Sequence, residues 1–274
     1  MLSKAERKII CSLKQKKFRN QENLFVVEGV KMVQEALDSA YRVRVVYAQE
    51  EGLFSGVKNV IMVTEREMSE VSHFSTPSPA LALVETHRTD LLYPIDNFDE
   101  SQLYLALDSI RDPGNLGTIV RIADWFGVKA IFASADTVDL YNPKAVQASM
   151  GALFRVPVYY SDLCELIDTL NIPIYGAAMS GESVYELPLS NNGVIIIGNE
   201  ANGISDALLK KAGNVLLIPS FLNSPQRSES LNAAIATAII CSEFRRRNTT
   251  QTKVRKTYRR SKFNRRISPR ELYI

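Results

Sequence analysis

Histidine and cysteine are scarce in this 274-residue chain, which holds two histidines, His73 and His87, and three cysteines, Cys11, Cys164 and Cys241. Two imidazoles leave little material for a histidine-based metal centre or catalytic triad. The thiols are odd in number and widely separated. That fits neither a disulfide framework nor metal-ligand spacing, so the expectation is no metal and a reducing, cytoplasmic setting. No run approaches the roughly 20 apolar residues needed to span a bilayer, so no membrane partner is expected. The segment Met1-Leu2-Ser3-Lys4-Ala5-Glu6-Arg7-Lys8 is basic and lacks the apolar stretch of a secretory signal. What the chain does have is an ordinary globular composition, 46% hydrophobic and 23% charged, enough for one large domain or two smaller ones.

The net charge of +3 hides an uneven distribution. From Phe244 to Ile274 there are twelve Lys and Arg residues against one acid, Glu271, a net of +11, while the first 243 residues carry a net of −8. A second basic cluster, Lys14, Lys16, Lys17 and Arg19, lies near the start. Such asymmetry points to a polyanionic partner. Tyr258 and Phe263, set among the arginines of the tail, add base-stacking capacity and favour RNA. The competing interpretation is a tail that serves only as a solvating extension.

Hydrophobic periodicity divides the chain in two. Strands are predicted at 24–27, 43–48, 60–63 and 80–84, with an amphipathic helix over 30–37 and a short one over 65–71. Residues 86–101 are polar and read as a linker. From Leu103 the pattern becomes strand, loop and helix in repetition. Strands are expected at 103–107, 130–133, 156–159, 174–178, 194–197 and 215–218. Helices are expected from about 116 to 126 and near 143–150, 162–170, 204–212 and 230–246. Continuous apolar strands between amphipathic helices imply a parallel sheet covered on both faces, and such sheets bind ligands at the carboxyl ends of their strands.

Three loops at those ends carry the informative residues. In the first, Asp108-Ser-Ile-Arg-Asp-Pro-Gly-Asn115-Leu-Gly117-Thr118-Ile-Val-Arg121, a strand feeds a turn and then a helix whose first N–H groups can cradle an anion. Arg121 follows Asn115 by six residues, so its guanidinium is expected to reach back towards the loop and take a phosphate or carboxylate. In the second, Gly198-Asn199-Glu200-Ala-Asn-Gly203 puts a carboxylate on a bend between two glycines. Glu200 either hydrogen-bonds a ligand, orients a neighbour or caps a helix. The third runs from Ile218-Pro219 through a polar loop to Glu229-Ser230-Leu231-Asn232. Ser230 is expected as the N-cap of an Ala-rich helix, with Asn232 in its first turn. That helix suits either core packing or a subunit interface.

Together and in this order, the three segments resemble the SpoU (TrmH-like) branch of the SPOUT methyltransferases. Ala148-Ser149-Met150-Gly151-Ala152 is similar to that family's Ser-x-Gly-Ala segment, and the likeness covers roughly residues 103–246. Residues Lys16-Lys17-Phe18-Arg19 through Phe25-Val26-Val27-Glu28-Gly29 resemble the substrate-binding domain that many members carry.

The resemblance implies an α/β protein. A C-terminal parallel-sheet domain over 98–247 would be tied in a deep trefoil knot, an exception to the unknotted-chain rule. It would be joined to a small N-terminal α/β substrate-binding domain over 1–97, ribosomal L30e/L7Ae-like, and followed by a basic, disordered tail over 248–274. It implies S-adenosyl-L-methionine as cofactor, contacted by Met179, Gly181, Gly198, Asn199, Gly203, Ile218, Pro219 and Leu231. It implies methyl transfer to a ribose 2′-hydroxyl of structured RNA, with 23S rRNA favoured over tRNA. Catalytic roles would fall on Arg121, Asn115, Glu200, Ser230 and Asn232, in a homodimer that pairs through the knot-domain helices.

The third motif departs from the family pattern. Ser220 stands where relatives carry methionine, and the connection Phe221-Leu-Asn-Ser-Pro-Gln-Arg-Ser228 is longer and lacks glycine. The alternative it leaves open is a catalytically weak RNA-binding or ribosome-assembly protein that retains the fold. A Rossmann-type dehydrogenase is disfavoured, because no Gly-x-Gly-x-x-Gly follows the first strand.

Overall fold

A computed structural model describes residues 2–87, 98–221 and 230–248. Two sheets organise them. The first has the order β1-β4-β2-β3 and is built from β1 (Leu24–Glu28), β2 (Val43–Ala48), β3 (Val60–Met62) and β4 (Ala80–Glu85). Strand β4 pairs antiparallel with both β1 and β2, and β3 joins β2 in parallel. Helices α1 (Lys4–Ser12), α2 (Lys16–Glu22), α3 (Val30–Leu37) and α4 (Glu65–Val71) pack around it. Periodicity did not predict α1 and α2. The Ser3–Glu6 pair explains the first: Ser3 accepts from the Glu6 N–H and Glu6 accepts from the Ser3 N–H, a reciprocal cap.

The second sheet has the order β10-β8-β9-β5-β6-β7, with every pairing parallel. Its strands are β5 (Leu103–Leu107), β6 (Ile131–Ala133), β7 (Val158–Tyr160), β8 (Ile174–Ser183), β9 (Gly193–Ile197) and β10 (Asn214–Leu217). Its helices are α5 (Pro113–Trp125), α6 (Pro143–Ser149), α7 (Leu163–Asp168), α8 (Asp206–Leu209) and α9 (Ala233–Asn248). Both faces are covered, as the apolar strands required. Leu103, Leu105 and Leu107 point into one core, and Tyr104 and Ala106 into another. Strand β8 runs five residues past its predicted end, through Gly181, to pair Glu182 and Ser183 with β10 across a register shift.

Apolar packing passes without a break from the first sheet into the second, because Phe25, Val27 and Met32 share one core with Leu105, Ile119 and Phe154. Polar contacts reinforce the junction. Arg19, 2% exposed, pairs with Asp139 at 2.5 Å and also donates to the carbonyls of Leu13 and Lys14. The structure therefore removes Arg19 from the expected basic cluster and leaves Lys14, Lys16 and Lys17 exposed. Arg155 bridges Asp124 on α5 and Glu35 on α3. The Ser149-Met150-Gly151 segment is part of the same junction: Met150 and Gly151 both turn left-handed, and Gly151 packs against the Glu35 side chain. The expected domain limit at 97/98, the tail beyond 248 and third-motif residues 222–229 fall at or outside the edges of the described residues.

Candidate active site

The first loop is shorter than predicted because α5 starts at Pro113, not near Leu116. Asp112 is its N-cap, accepting from the Asn115 N–H at 2.7 Å, and Pro113 occupies the first position, where no N–H is needed. Asn115 therefore stands on the first turn of a helix, and its amide is aimed by regular backbone.

That amide joins all three loops. Asn115 Nδ2 donates to Glu200 Oε1 in a very short contact, and Asn232 Nδ2 donates to Asn115 Oδ1 at 2.8 Å. Glu200 is thus a partner of Asn115, not a helix cap. The α9 N-cap is Asn232, not Ser230. Its Oδ1 accepts from Ala234 N–H at 3.0 Å and from Ile235 N–H at 3.2 Å, so the helix begins three residues later than expected. Ser230 is exposed and has no hydrogen bond among the described residues.

Gly198 follows β9 and Asn199 opens the turn. The turn closes by paired backbone hydrogen bonds between Asn199 and Gly203, and the Asn199 side chain accepts from the N–H groups of Ala201 and Asn202. Two glycines are needed here for backbone reasons. A Cβ on Gly198 would lie 2.2 Å from the Gly203 carbonyl carbon, and Gly203 has φ +70°. Gly181, at φ +135°, likewise faces the Val215 carbonyl, where a Cβ would come within 2.3 Å. These glycines let loops approach one another; the close backbone approach serves the chain before any ligand.

Around this edge lie apolar side chains left in water. Met179 is 61% exposed, Leu231 is exposed, and Ile218 and Pro219 are half-buried. Arg121 stands apart from the amide chain. Six residues of helix turn it well away from the Asn115 face. It is exposed, without hydrogen bond or ion pair among the described residues, on the stripe that also holds Thr118 and Trp125.

Sequence reasoning missed a second polar network beside the amide chain. Ser109 adopts a left-handed conformation at φ +58°, sparse for a residue with a side chain. Its N–H donates to Ser134 Oγ, its carbonyl accepts from Asn199 Nδ2, and its hydroxyl donates to Asp136 at 2.6 Å. Hydrogen bonds from Ser109 and Ser134 hold the Asp136 carboxyl below its usual range. Buried Asp108 accepts from the Ser205 N–H at 2.7 Å, tying the first loop to the start of α8. The one sequence signal was an acid ending an apolar strand. Among the described residues no group of three or more His, Cys, Asp and Glu side chains could hold a metal, and no helix is long and apolar enough to cross a membrane.

With the geometry in view, comparison with known proteins is informative. A family model described as the SpoU rRNA Methylase family matches residues 102–242, and a model of an MRM3-like substrate binding domain matches residues 6–82. The 23S rRNA (guanosine(2553)-2′-O)-methyltransferase RlmP of Bacillus subtilis is 32% identical over 239 residues, covering 84% of this chain and 92% of the relative. A solved structure of a TrmH-family protein from Porphyromonas gingivalis is 38% identical with a TM-score of 0.78, covering 90% of this chain and 99% of that one. The AdoMet-bound rRNA methyltransferase of Sinorhizobium meliloti is 30% identical, also with a TM-score of 0.78, over 90% of this chain and 97% of its own. Two matched segments, one on each sheet, and likeness in sequence and structure over 84% to 90% of the chain lead to one assignment: the chain belongs to the SpoU rRNA methylase family.

Proposed function

We propose that this chain transfers the methyl group of S-adenosyl-L-methionine to a ribose 2′-hydroxyl of 23S rRNA, acting as a cytoplasmic homodimer. The observation that carries the reading is the amide chain Glu200–Asn115–Asn232, which draws the ends of three separate loops into one constellation. The Bacillus subtilis relative is a 23S rRNA 2′-O-methyltransferase, and the Sinorhizobium meliloti rRNA methyltransferase is solved with AdoMet bound.

The residues at the edge of β8, β9 and β10 suit the cofactor. Met179, Ile218, Pro219 and Leu231 offer apolar surface for an adenine ring, and the turn from Gly198 through Asn199 to Gly203, with Gly181 opposite Val215, offers backbone polar groups at close range. When bound, S-adenosylmethionine supplies a methyl group already activated by its sulfonium. The protein's remaining tasks are to position the acceptor hydroxyl and receive its proton. Arg121, on the same helix as Asn115, has no ion pair among the described residues, and a guanidinium stays protonated in proteins. It therefore binds the phosphate next to the target ribose, and the proton leaves through that phosphate or water. Asn115, Glu200 and Asn232 hold the acceptor loop, and Ser230 contributes its hydroxyl from the third loop.

The division into 1–97, 98–247 and 248–274 and the deep trefoil knot belong to the same proposal, supported by the two matched segments and the family fold. The dimer is supported by apolar side chains left exposed on two helices, Trp125 (85% exposed) on α5 and Ile235 on α9.

The test is methyl transfer from labelled S-adenosylmethionine to 23S rRNA isolated from cells lacking the gene. Transfer to a single ribose is expected, and Arg121→Ala should abolish it while cofactor binding by calorimetry persists. Saturable RNA binding with no cofactor binding would instead favour a non-catalytic assembly protein.

A further inference from the structure

Between the loop after β5 and the loop after β9 lies a cleft of about 190 Å³, lined by Asp108, Ser109, Arg111, Asn199, Asn202 and Ser205. It occupies the point where strand order reverses. From β5 the chain moves outward to β6 and β7, then returns on the other side through β8 and β9. In parallel sheets that crevice is where ligands bind. The cleft is smaller than the roughly 300 Å³ or more of a drug-sized pocket, so it suits a single planar ring system.

Its lining is polar and incompletely satisfied. Asp108 is 7% exposed. Its Oδ2 takes the Ser205 N–H, but its Oδ1 has only a 3.4 Å approach from a Ser109 hydroxyl that is committed to Asp136. A buried carboxylate accepts only, so the spare capacity calls for donors. The Asn202 side-chain amide and the Ser205 hydroxyl have no partner among the described residues, and Arg111 is held at the rim by Asp136 at 3.2 Å. The left-handed Ser109 backbone is fixed by side chains at both its N–H and its carbonyl. Strain so over-determined is characteristic of functional positions.

We propose that this cleft receives the base of the nucleotide to be methylated, and that the base is guanine. The inference rests on the reading of the chain as a ribose methyltransferase. Guanine alone among the four bases presents two adjacent donors, N1–H and the N2 amino group, that a carboxylate takes as a pair, with the O6 and N7 acceptors left for Asn202, Ser205 and Arg111. Enzymes that act on one nucleotide of a structured nucleic acid turn its base out of the stack and read its pairing edge in this way. The turn that walls the cleft, Asn199 to Gly203, also carries Glu200 to Asn115, so a nucleotide whose base fills the cleft has its ribose beside the amide chain.

The test titrates the full-length protein with the four ribonucleoside 5′-monophosphates in the presence of S-adenosylhomocysteine. The guanosine nucleotide should bind about tenfold tighter or more than the others, the discrimination one paired contact supplies. Asp108→Asn, which keeps an acceptor for Ser205, should erase that preference without altering S-adenosylhomocysteine affinity. Asn202→Ala should weaken guanosine nucleotide binding alone. Equal binding of all four nucleotides, no binding, or a preference that survives Asp108→Asn would overturn the base pocket. Labelled methyl transfer to 23S rRNA is measured separately: transfer without a guanosine preference sinks the pocket and spares the enzyme, whereas absence of transfer sinks the enzyme.

Discussion

A single side chain, Asn232, performs two tasks with the two ends of one amide. Its oxygen caps α9 and its nitrogen holds Asn115. The tasks separate by substitution. Asn232→Asp keeps an acceptor for the cap but loses the donor and faces Asn115 and Glu200 with a second carboxylate, so methyl transfer should fall at least about tenfold with little change in melting temperature. Asn232→Ala should lose both, with an added destabilisation of about 1 kcal/mol; kcat/KM and thermal melts read the difference. His73 gives a second residue-scale expectation. Burial lowers its pKa to about 4, against a hydrogen bond to the Ile10 carbonyl that favours the charged form. The unfolded imidazole titrates near 6.5, so the unfolded chain binds the extra proton between those values. Stability should therefore be full above about pH 6.5 and fall by roughly 2–3 kcal/mol as pH drops towards 4. Denaturant melts of His73→Gln should flatten that slope. Asn115, Glu200 and Asn232 were legible as motif letters, but their mutual bonding was not, because it forms between residues 85 and 117 positions apart. Asp108, Asp136 and Ser109 carried no such letters: an acid after a strand acquires meaning only when another loop lands on it.

Among the elements, the α5–α6 pair is the tightest constraint behind the site. Gly117 packs where a Cβ would meet the Ala145 carbonyl at 2.3 Å and the Ala148 methyl at 2.6 Å. Gly117→Ala should force the helices apart, costing about 1–3 kcal/mol, and because α5 carries both Asn115 and Arg121 it should reduce methyl transfer more than the stability loss alone explains. Urea melts and initial rates at matched folded fraction check this. The strands of the parallel sheet were readable because continuous apolar runs have few other uses. Helix α1 escaped because its lysines and arginine mask the inward-packing Ile10 and its cap Leu13, and α2 because its one buried residue is Arg19, a charged side chain. The far end of β8 escaped for the opposite reason: Glu182 and Ser183 pair by backbone while most side chains from Met179 to Ser183 stay in water, leaving no hydrophobic signature. The basic C-terminal block also divides on inspection. Arg245 donates to the Phe126 and Gly127 carbonyls at the end of α5, and Arg246 pairs with Glu243, so the first arginines of the block are structural.

At the scale of the molecule, the continuous core across the two sheets and the Arg19–Asp139 pair predict one cooperative unfolding transition. Asp139→Ala leaves a buried guanidinium without its carboxylate and should cost about 3–5 kcal/mol. Two separated transitions by calorimetry in the wild-type chain would contradict the shared core. Removing residues 248–274, which carry much of the positive charge, should weaken RNA binding and flatten its dependence on salt, as read by filter binding across ionic strengths. The ring of Tyr41 lies flat on that of His87 at 3.8 Å, while Tyr141 bonds the His87 backbone from the other sheet. A seam fastened this way behaves like a fixed caliper. On the proposed function, one jaw holds a distant feature of the folded RNA and the other closes on a sugar at a fixed span. Lengthening or shortening the RNA helix between those two points by one base pair should therefore stop modification, because the shared core fixes the span between the jaws.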